Sequence, residues 1–439
     1  MTSLLLAVAL LQSPTELADK FRVEGLGKLG AYKMLADLCL NVGHRLSGSP
    51  GADKAIAWSE KTMRDLGLEK IRQIPCKVPV WVRGPIERCD IEGGAALRIY
   101  ALGGSGASPK GGVTANVVEV KSLAEVEKLG AALKGKIVFF NRPFDGTLAS
   151  QGAAYGGAND QRTRGPALCS RLGAVGTVVR SMTSCDDDVP HTGATNFGDT
   201  PKIPCAALGP QSADRLSRVL RGDPNTRLTL ELACETLSDK DSANVIGEIT
   251  GSEFPNEVIV VGGHLDSWDK GEGAHDDGAG CVQALEALRI IKTLGLKPKR
   301  TLRAVMWMNE ENGLRGARAY ADWAKTNGEK AYAALESDSG GFMPRAFGVS
   351  PNKLKRVQKW LPLFQQFGIE RFNPGGADAD NGPLGPVGAI LFSLEPESQR
   401  YFDFHHTEKD VLEAVHPREL QMGAIAEALL IWLVSEEGL

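Results

Sequence analysis

Apolar runs and helical repeats alternate along the second half of the chain. Four short, mostly apolar runs end at polar or glycine-rich segments, which is typical of strands buried on both faces. These runs are Val258–Gly262, Leu302–Met308, Ala333–Glu336 and Ala389–Phe392. Helical spacing of apolar positions is found over Cys281–Thr293, Gly316–Thr326, Lys353–Phe367 and Arg418–Val434. The alternation predicts an α/β fold with a mostly parallel central sheet, whose ligands bind beyond the carboxyl ends of the strands.

The pattern differs in the middle of the chain. Before it, two helices are predicted at Tyr32–Leu40 and Ala52–Leu66. Within it, short strands alternate with glycine- and proline-rich loops. The predicted strands are Ala115–Val120, Lys136–Phe140, Val175–Val179 and Lys202–Leu208, and the predicted helices are Pro166–Leu172 and Ser212–Leu220. We interpret residues 113–236 as a small β-rich domain inserted between a first part (21–112) and a second part (237–439) of the main domain.

One polar stretch of the predicted insertion has no periodicity. Ser181–Asp199 contains neither an alternating nor a helical pattern of apolar residues. Segments of this kind usually connect elements over the surface. The sequence therefore predicts a surface loop there.

The first residues have the pattern of a targeting segment. The apolar run Leu4–Leu11 resembles the core of a signal peptide, although no Lys or Arg precedes it. It is too short to span a bilayer. We interpret residues 1–20 as a candidate leader, which predicts a secreted or periplasmic protein. An ordinary first helix is the alternative.

Eight cysteines are scattered along the chain without a C-x-x-C pair. Their spacing argues against a zinc finger or a thioredoxin-type site. An even number suits disulfides in an oxidising compartment, and buried free thiols are the alternative. By proximity in the sequence, the candidate pairs are Cys76–Cys89 and Cys169–Cys185.

Composition limits the classes of partner. The chain has 439 residues, too many for one ordinary domain, with ordinary fractions of hydrophobic (42%) and charged (24%) residues. The formal net charge is −4. That balance gives no electrostatic reason to expect nucleic acid or an anionic membrane surface as a partner.

Five segments rich in metal-binding side chains follow predicted strands or open predicted helices. They carry His264, Asp276, Glu310 with Glu311, Asp338, and His405 with His406. Zinc binds imidazole nitrogen and carboxylate oxygen, and a pair of zinc ions needs a carboxylate between them plus further ligands on each. The segments meet this requirement with His264 and Asp338 on one zinc, Glu311 and His406 on the other, and Asp276 as the bridge.

Two further acids have predicted roles beside the metals. Glu310, next to a ligand, could take the proton of the attacking water as a general base. Asp266 follows His264 by two residues and could orient its imidazole. Each of these residues alone is weak evidence for a metal site. A lone histidine is more often packed in the protein, and paired acids are often solvated or begin helices. Their joint position at predicted strand ends is what favours a metal site.

The same segments resemble a known family. Several runs are similar to those of the co-catalytic zinc aminopeptidases, particularly the carboxypeptidase Q branch. These runs are Gly262-Gly263-His264-Leu265-Asp266-Ser267-Trp268-Asp269, Asn309-Glu310-Glu311, Glu336-Ser337-Asp338 and His405-His406-Thr407, together with Gly278 after a paired Asp. The similarity begins at Gly43-His44-Arg45-Leu46-Ser47-Gly48-Ser49 and reaches the last helix. It implies a three-layer α/β sandwich, the zinc exopeptidase fold. The middle block resembles a protease-associated domain. The resemblance lies in the runs Gly135-Lys136-Ile137-Val138 and Gly173-Ala174-Val175-Gly176.

The resemblance implies a function and assigns each site residue. The metal ligands would be His264, Asp276, Glu311, Asp338 and His406, with Glu310 as the base. His406 is preferred to His405 because it precedes Thr407 and Asp410 at the family's spacing. Two Zn²⁺ ions would hold a bridging water that attacks unblocked dipeptides or short peptides at the free amino end. A homodimer is also implied. His275, where the family has a small or amide side chain, departs from the pattern, and we expect it to fill space.

Three alternative functions stay open. A glutaminyl cyclase has a similar fold with one zinc, but the full ligand set and the insertion argue against it. An amidohydrolase acting on N-acyl amino acids would accept a blocked amine. A receptor-like relative without catalytic activity would have lost metal ligands, whereas every expected position here retains a competent side chain.

Overall fold

The structure is a computed structural model that describes residues 14–439. The candidate leader at residues 1–20, with its apolar run Leu4–Leu11, therefore lies mostly outside the described residues. Its last residues belong to the first helix, Pro14–Lys28. No helix in this described range is long and apolar enough to cross a membrane.

The described residues form two sheets. The strands, in chain order, are β1 (Glu69–Val82), β2 (Glu87–Ile91), β3 (Ile99–Ala101), β4 (Val113–Val120), β5 (Ile137–Phe140), β6 (Gly176–Arg180), β7 (Cys205–Leu208), β8 (Arg227–Leu232), β9 (Glu235–Ile249), β10 (Phe254–His264), β11 (Arg300–Trp307), β12 (Lys330–Glu336), β13 (Pro344–Val349), β14 (Arg371–Pro374) and β15 (Ile390–Pro396). The helices are α1 (Pro14–Lys28), α2 (Gly30–Asn41), α3 (Pro50–Asp65), α4 (Leu123–Leu129), α5 (Gln151–Ala158), α6 (Asp160–Thr163), α7 (Gly165–Arg171), α8 (Pro210–Gly222), α9 (Ala279–Thr293), α10 (Arg315–Thr326), α11 (Leu354–Val357), α12 (Leu361–Phe364), α13 (Tyr401–Phe404) and α14 (Pro417–Glu437).

The central sheet is mixed, with a parallel middle. Its order is β1-β9-β11-β10-β12-β15-β13-β14. The strands β11, β10, β12 and β15 are parallel to one another, whereas β9 runs antiparallel to both β1 and β11, and β13 runs antiparallel to β15. The prediction of a mostly parallel sheet therefore holds for the centre only. Apolar runs reveal strands buried on both faces, but β1 is half exposed and has an alternating pattern.

Helices cover both faces of this sheet. Ile259 and Val261 of β10 point into a large core with α1, α2, α3, α9 and α14. Their neighbours Val258 and Val260 point to the opposite face, where they pack with Tyr320 of α10. Because successive side chains of a strand alternate between faces, each central strand must be apolar throughout. The result is a layered α/β sandwich.

The second sheet is inserted between β1 and β9. Its order is β2-β8-β4-β5-β6-β7-β3. Val82 at the end of β1 pairs with Glu235 at the start of β9, so the insertion leaves and re-enters the central sheet at adjacent positions. The sheet already includes β2 and β3, before the predicted boundary at residue 113. These two strands are too short to give a clear periodic signal.

Two local predictions are wrong. Ser181–Asp199 is an irregular segment, but it is not a surface loop: Ser181, Thr192 and Thr195 are buried. Its polar groups are satisfied within the protein, as when the Thr192 N–H donates to the His406 carbonyl at 3.0 Å. The predicted helix Lys353–Phe367 is broken into α11, α12 and short 3₁₀ turns, because Pro362 has no N–H to donate.

The candidate disulfide pairs are not formed, and all eight cysteines are free thiols, the alternative that the sequence left open. Cys76 lies in β1 of the central sheet, whereas Cys89 lies in β2 of the inserted sheet. Cys185 is instead 3.0 Å from a carboxylate oxygen of Asp403. Proximity in the sequence says nothing about the Cα separation that a disulfide requires.

Candidate metal centre and substrate cleft

The predicted site residues meet at the carboxyl ends of the parallel strands. His264 is the last residue of β10 and pairs in register with Trp307 of β11, which precedes Glu310 and Glu311. On its other side, β10 pairs with β12, which ends just before Asp338. Parallel neighbours end at the same edge, so segments far apart in sequence converge there.

Asp276 stands between two groups of these side chains. Nε2 of His264 is 3.1 Å from Oδ1 of Asp276 and 3.4 Å from Oδ1 of Asp338. On the other side, Nε2 of His406 is 3.4 Å from Oδ2 of Asp276 and 3.1 Å from Oε2 of Glu311. One carboxylate thus directs an oxygen to each group, which is the arrangement expected of a bridging ligand.

The donor atoms fit bound cations. Ligand atoms of His264, Asp276 and Asp338 all lie within 4.8 Å of one another. Oδ2 of Asp276 and Oδ1 of Asp338 are buried but accept no hydrogen bond in the described chain. Buried carboxylate oxygens without partners are costly, and a cation would satisfy them. A mixture of imidazole and carboxylate donors suits zinc.

The two adjacent histidines are both close to this centre. Their rings stack with centroids 3.5 Å apart. Nε2 of His405 is 3.9 Å from Oδ2 of Asp276, farther than the 3.4 Å of His406. The backbone of His406 has φ +63°, a left-handed conformation that residues other than glycine seldom adopt and that is concentrated at functional sites. The choice of His406 as ligand stays a prediction.

The paired acids at the start of α9 have separate contacts. Asp276 faces the metal centre, whereas Asp277 turns into the fold. Oδ2 of Asp277 accepts the backbone N–H of His264 at 3.1 Å, and Oδ1 accepts that of Gly280 at 2.8 Å. Asp277 therefore ties the end of β10 to the first turn of α9, whose N–H groups would otherwise lack acceptors. This link holds His264 and Asp276 in fixed relation.

Asp266 acts mainly on the turn that carries Glu310. Nδ1 of His264 is hydrogen-bonded to the backbone carbonyl of Asp266 at 2.9 Å, while the Asp266 carboxylate lies 3.9 Å from the same nitrogen. Oδ1 of that carboxylate accepts the backbone N–H groups of Asn309 at 2.7 Å and Glu310 at 3.1 Å. The predicted orientation of the imidazole thus comes from the backbone of Asp266, and its side chain positions Glu310.

The pKa values of the acids of the centre are shifted in opposite directions, although burial by itself raises each of them. Burial raises the pKa of Glu310 to about 8 and that of Glu311 well above its usual range. For Asp276, burial is outweighed by the hydrogen bond from His264 and the nearby His406, which hold its pKa below the ordinary value. Several carboxylates are thus crowded in a dry site, a charge distribution that a bound divalent cation would balance.

Sequence reasoning assigned no role to three acids behind the centre, Asp410, Glu336 and Asp380. Oδ1 and Oδ2 of Asp410 accept the backbone N–H groups of His275 at 2.6 Å and Asp276 at 3.1 Å, so Asp410 fixes the backbone of Asp276. Glu336 accepts the N–H of Asp380. Asp380 is buried, and neither of its oxygens has a partner in the described structure. Of these three acids, only Glu336 could have been suggested by the sequence, because it lies at a predicted strand end.

His275 is a packed residue, as expected. Its ring stacks on Phe342 with centroids 4.2 Å apart. Nδ1 accepts the N–H of Gly341 at 3.1 Å, and Nε2 lies 3.3 Å from the carbonyl of Ala414. Both ring nitrogens are therefore occupied within the fold.

Two cavities open on either side of Glu310 and Glu311. One has a volume of about 360 Å³ and also contains Asp276, Asp338 and Arg162. The other has a volume of about 470 Å³ and is lined by Trp81, Thr195, Asn196 and Lys202, among others. Because Arg162, Thr195, Asn196 and Lys202 belong to the insertion, the two sheets together enclose a cleft over the metal centre.

The known proteins to which this chain is similar in sequence are peptidases. The model of the family described as Peptidase family M28 matches residues 244–430. Carboxypeptidase Q of Homo sapiens is 34% identical over 418 residues, which cover 94% of this chain and 87% of that protein. Carboxypeptidase Q of Mus musculus is 34% identical over 410 residues, covering 92% and 86%. This chain belongs to peptidase family M28.

Solved structures agree with this membership. A crystal structure of a peptidase M28 precursor from Shewanella amazonensis has a TM-score of 0.91 at 31% identity, covering 96% of both chains. The zinc aminopeptidase BSAP of Bacillus subtilis has the same fold, with a TM-score of 0.67 at 19% identity, covering 91% of this chain and 94% of that one. The predicted resemblance is confirmed, and this M28 protein is a zinc metallopeptidase.

Proposed function

We propose that this M28 peptidase is a two-zinc exopeptidase that hydrolyses unblocked dipeptides or short peptides at the free amino end. The observation that carries the proposal is the position of Asp276. One of its oxygens lies 3.1 Å from His264 and the other 3.4 Å from His406. Asp338 completes the first group and Glu311 the second. Two ligand groups joined by one carboxylate support a pair of ions rather than one.

The proposed chemistry is the hydrolysis of a peptide bond. Zinc bound at this site would polarise the scissile carbonyl and make water a better nucleophile near neutral pH. Glu310 would remove a proton from that water and pass it to the departing amine. Its place where the two cavities meet brings it to both the water and the peptide. Asp266 holds the backbone of Glu310 in position.

We assign the insertion as a protease-associated domain that covers the cleft. The support is that its residues line both cavities beside Glu310. A cleft of limited volume between two sheets favours short peptides. Export to a secreted or periplasmic location and a homodimeric state stay predictions.

The test combines metal content with substrate choice. Elemental analysis of the purified protein should give about two zinc ions per chain. Free dipeptides should be hydrolysed and their N-acetylated forms spared. One ion with cyclisation of N-terminal glutamine would favour a glutaminyl cyclase, and cleavage of acetylated substrates would favour an amidohydrolase. No metal and no turnover after zinc is added would contradict the proposal and leave a receptor-like protein.

A further inference from the structure

The two histidines of the metal centre are oriented by different parts of the chain. Nδ1 of His264 lies 2.9 Å from the carbonyl oxygen of Asp266, in the turn that follows β10 of the central sheet. Nδ1 of His406 lies 3.3 Å from the carbonyl oxygen of Thr192, which belongs to the insertion. A histidine that binds a metal usually donates its other ring N–H to a second group, which fixes the orientation of the ring. The insertion therefore supplies for His406 what the main domain supplies for His264.

The contacts of His406 select the tautomer that leaves Nε2 free for a metal. The Thr192 carbonyl oxygen can only accept a hydrogen bond, and it is nearer to Nδ1 than Nη1 of Arg162 is, at 3.5 Å. Nη1 already donates to that same oxygen at 3.2 Å. Nδ1 therefore carries the proton, and the lone pair is on Nε2. This atom lies 3.1 Å from Oε2 of Glu311 and 3.4 Å from Oδ2 of Asp276.

Thr192 also holds the backbone of His406. Its N–H donates to the His406 carbonyl oxygen at 3.0 Å, so one residue of the insertion contacts both the backbone and the ring of the proposed ligand. The bond lies at the residue with the left-handed backbone, φ +63°. His191 adds a contact next to it, because its Nδ1 lies 2.9 Å from the carbonyl oxygen of His405. Thr192 and His191 are buried, and hydrogen bonds are stronger away from water.

The contacting segment is fixed to the inserted sheet. The Thr192 hydroxyl donates to the carbonyl oxygen of Ala101, the last residue of β3, at 2.7 Å. The N–H of Gly103 donates to the Gly193 carbonyl oxygen at 3.0 Å. Gly193 has φ +129°, and a Cβ built there would lie 2.7 Å from Nδ1 of His406. A glycine is thus required for the backbone of the insertion to approach this ring so closely.

We propose that the insertion is part of the second zinc site, with Thr192 as the positioning residue of His406. The inference rests on the proposed two-zinc function and adds a dependence to it. The ion held by the second ligand group requires the docked insertion, whereas the ion held by the first group does not. Loss of a contact that orients a metal ligand typically reduces metal affinity by about 10- to 100-fold. Displacement of segment 191–193 should therefore weaken the binding of one ion of the pair.

Zinc binding by the full chain tests this dependence independently of turnover. Zinc-loaded protein would be dialysed against buffered zinc at decreasing free concentrations, and the bound zinc would be measured by elemental analysis. The test variant is Gly193→Ala. Gly198→Ala is the matched control, because Gly198 lies in the same irregular segment with φ +51° but a Cβ built there would meet nothing within 4 Å. Arg162→Gln is a second control, because the Cβ at Gly193 would also lie 2.4 Å from Nη1 of Arg162.

The wild type should bind two zinc ions. In Gly193→Ala one ion should bind as in the wild type and the other about 10- to 100-fold more weakly. Both controls should bind two ions with the affinities of the wild type. Equal weakening in Gly198→Ala would assign the effect to backbone strain, and equal weakening in Arg162→Gln would assign it to the guanidinium. Either result would overturn the inference.

Hydrogen exchange of the wild type tests the same dependence without a variant. Because coupling between two sites is reciprocal, zinc must stabilise a contact that strengthens zinc binding. Zinc-loaded protein should therefore exchange its amide hydrogens more slowly than chelator-treated protein in the peptide that contains Thr192. A peptide from β4 of the same inserted sheet should exchange equally in both. Equal slowing in the two peptides, or in neither, would overturn the inference even if Gly193→Ala does not fold.

The metal content separates failure of this inference from failure of the proposed function. A wild type that binds only one ion would contradict the two-zinc function, and the inference with it. A wild type that binds two ions, with a Gly193→Ala variant that binds both as tightly, would overturn the inference and leave the proposed function intact.

Discussion

The backbone N–H of Glu310 donates a hydrogen bond to Oδ1 of Asp266 at 3.1 Å, and the same oxygen accepts the N–H of Asn309 at 2.7 Å. Asp266 is fully buried, and Asn309 has a left-handed backbone conformation with φ +75°. A single carboxylate oxygen therefore holds the turn that carries the proposed base. The conformation of that turn depends on a residue that follows a different strand.

Removal of this acceptor should reduce catalysis. Asp266→Ala would leave two buried N–H groups without a partner, at a cost of about 1–3 kcal/mol of unfolding free energy each, and would free Glu310 to move. We expect kcat to fall by about 10- to 100-fold. Steady-state kinetics and urea unfolding measure the two effects. Asp266→Asn is the matched control, since an amide oxygen can still accept both bonds, and equal losses in the two variants would contradict this role.

Loss of the proposed base should abolish turnover without loss of metal. Glu310→Gln retains the shape of the side chain but cannot take a proton. We expect kcat to fall by about 10²- to 10⁴-fold, with zinc content unchanged by elemental analysis. Normal peptide hydrolysis by this variant would show that another group is the base.

Zinc stoichiometry should report the bridging role of Asp276. Asp276→Asn should weaken both ligand groups, because one oxygen of Asp276 faces each group. We expect less than about one zinc ion per chain in this variant, whereas Asp338→Asn, which alters only the first group, should retain about one. Elemental analysis after dialysis makes the comparison. Two ions in Asp276→Asn would exclude a bridging carboxylate at this position.

A buried acid far from the centre should make stability depend on pH. Burial in α14 raises the pKa of Glu427 well above its usual range, and neither of its oxygens has a partner in the described structure. Since the folded pKa is the higher one, its stabilising effect is complete below the unfolded pKa of about 4.3 and is lost as the pH rises toward the folded pKa. Glu427→Gln should therefore be about 1–3 kcal/mol more stable than the wild type at pH 8.

Urea unfolding at pH 4 and pH 8 tests this expectation. The advantage of Glu427→Gln should vanish at pH 4, where both side chains are neutral. Glu437→Gln at the exposed end of the same helix is the control, with an expected change within about 0.5 kcal/mol at either pH. A Glu427→Gln variant that is equally stable at both pH values, relative to the wild type, would show that Glu427 is solvated or paired in solution.

The amino-acid sequence predicted the centre of the sheet and the residues around the metal site. The reason is that strands buried on both faces, such as β10 and β11, must be apolar throughout, and their carboxyl ends must meet. Polar side chains that directly follow these strands can therefore be predicted to lie in one cluster. His264, Glu310, Glu311 and Asp338 satisfy this condition, and Asp276 follows because it precedes a helix that packs on β10.

The surroundings of that cluster are determined by how distant elements pack together. Contacts between elements distant in sequence bring Arg162, Asp410 and the buried segment 181–199 to the centre. The local periodicity of apolar residues does not encode such contacts. Because β1 and β9 are partly exposed, their apolar pattern did not indicate the antiparallel edge of the central sheet. Strand pairing also placed Cys76 and Cys89 in different sheets, so this candidate pair is not formed. Hydrophobic periodicity determines which residues are buried within an element, whereas the partners of a buried polar group are determined by how the elements pack.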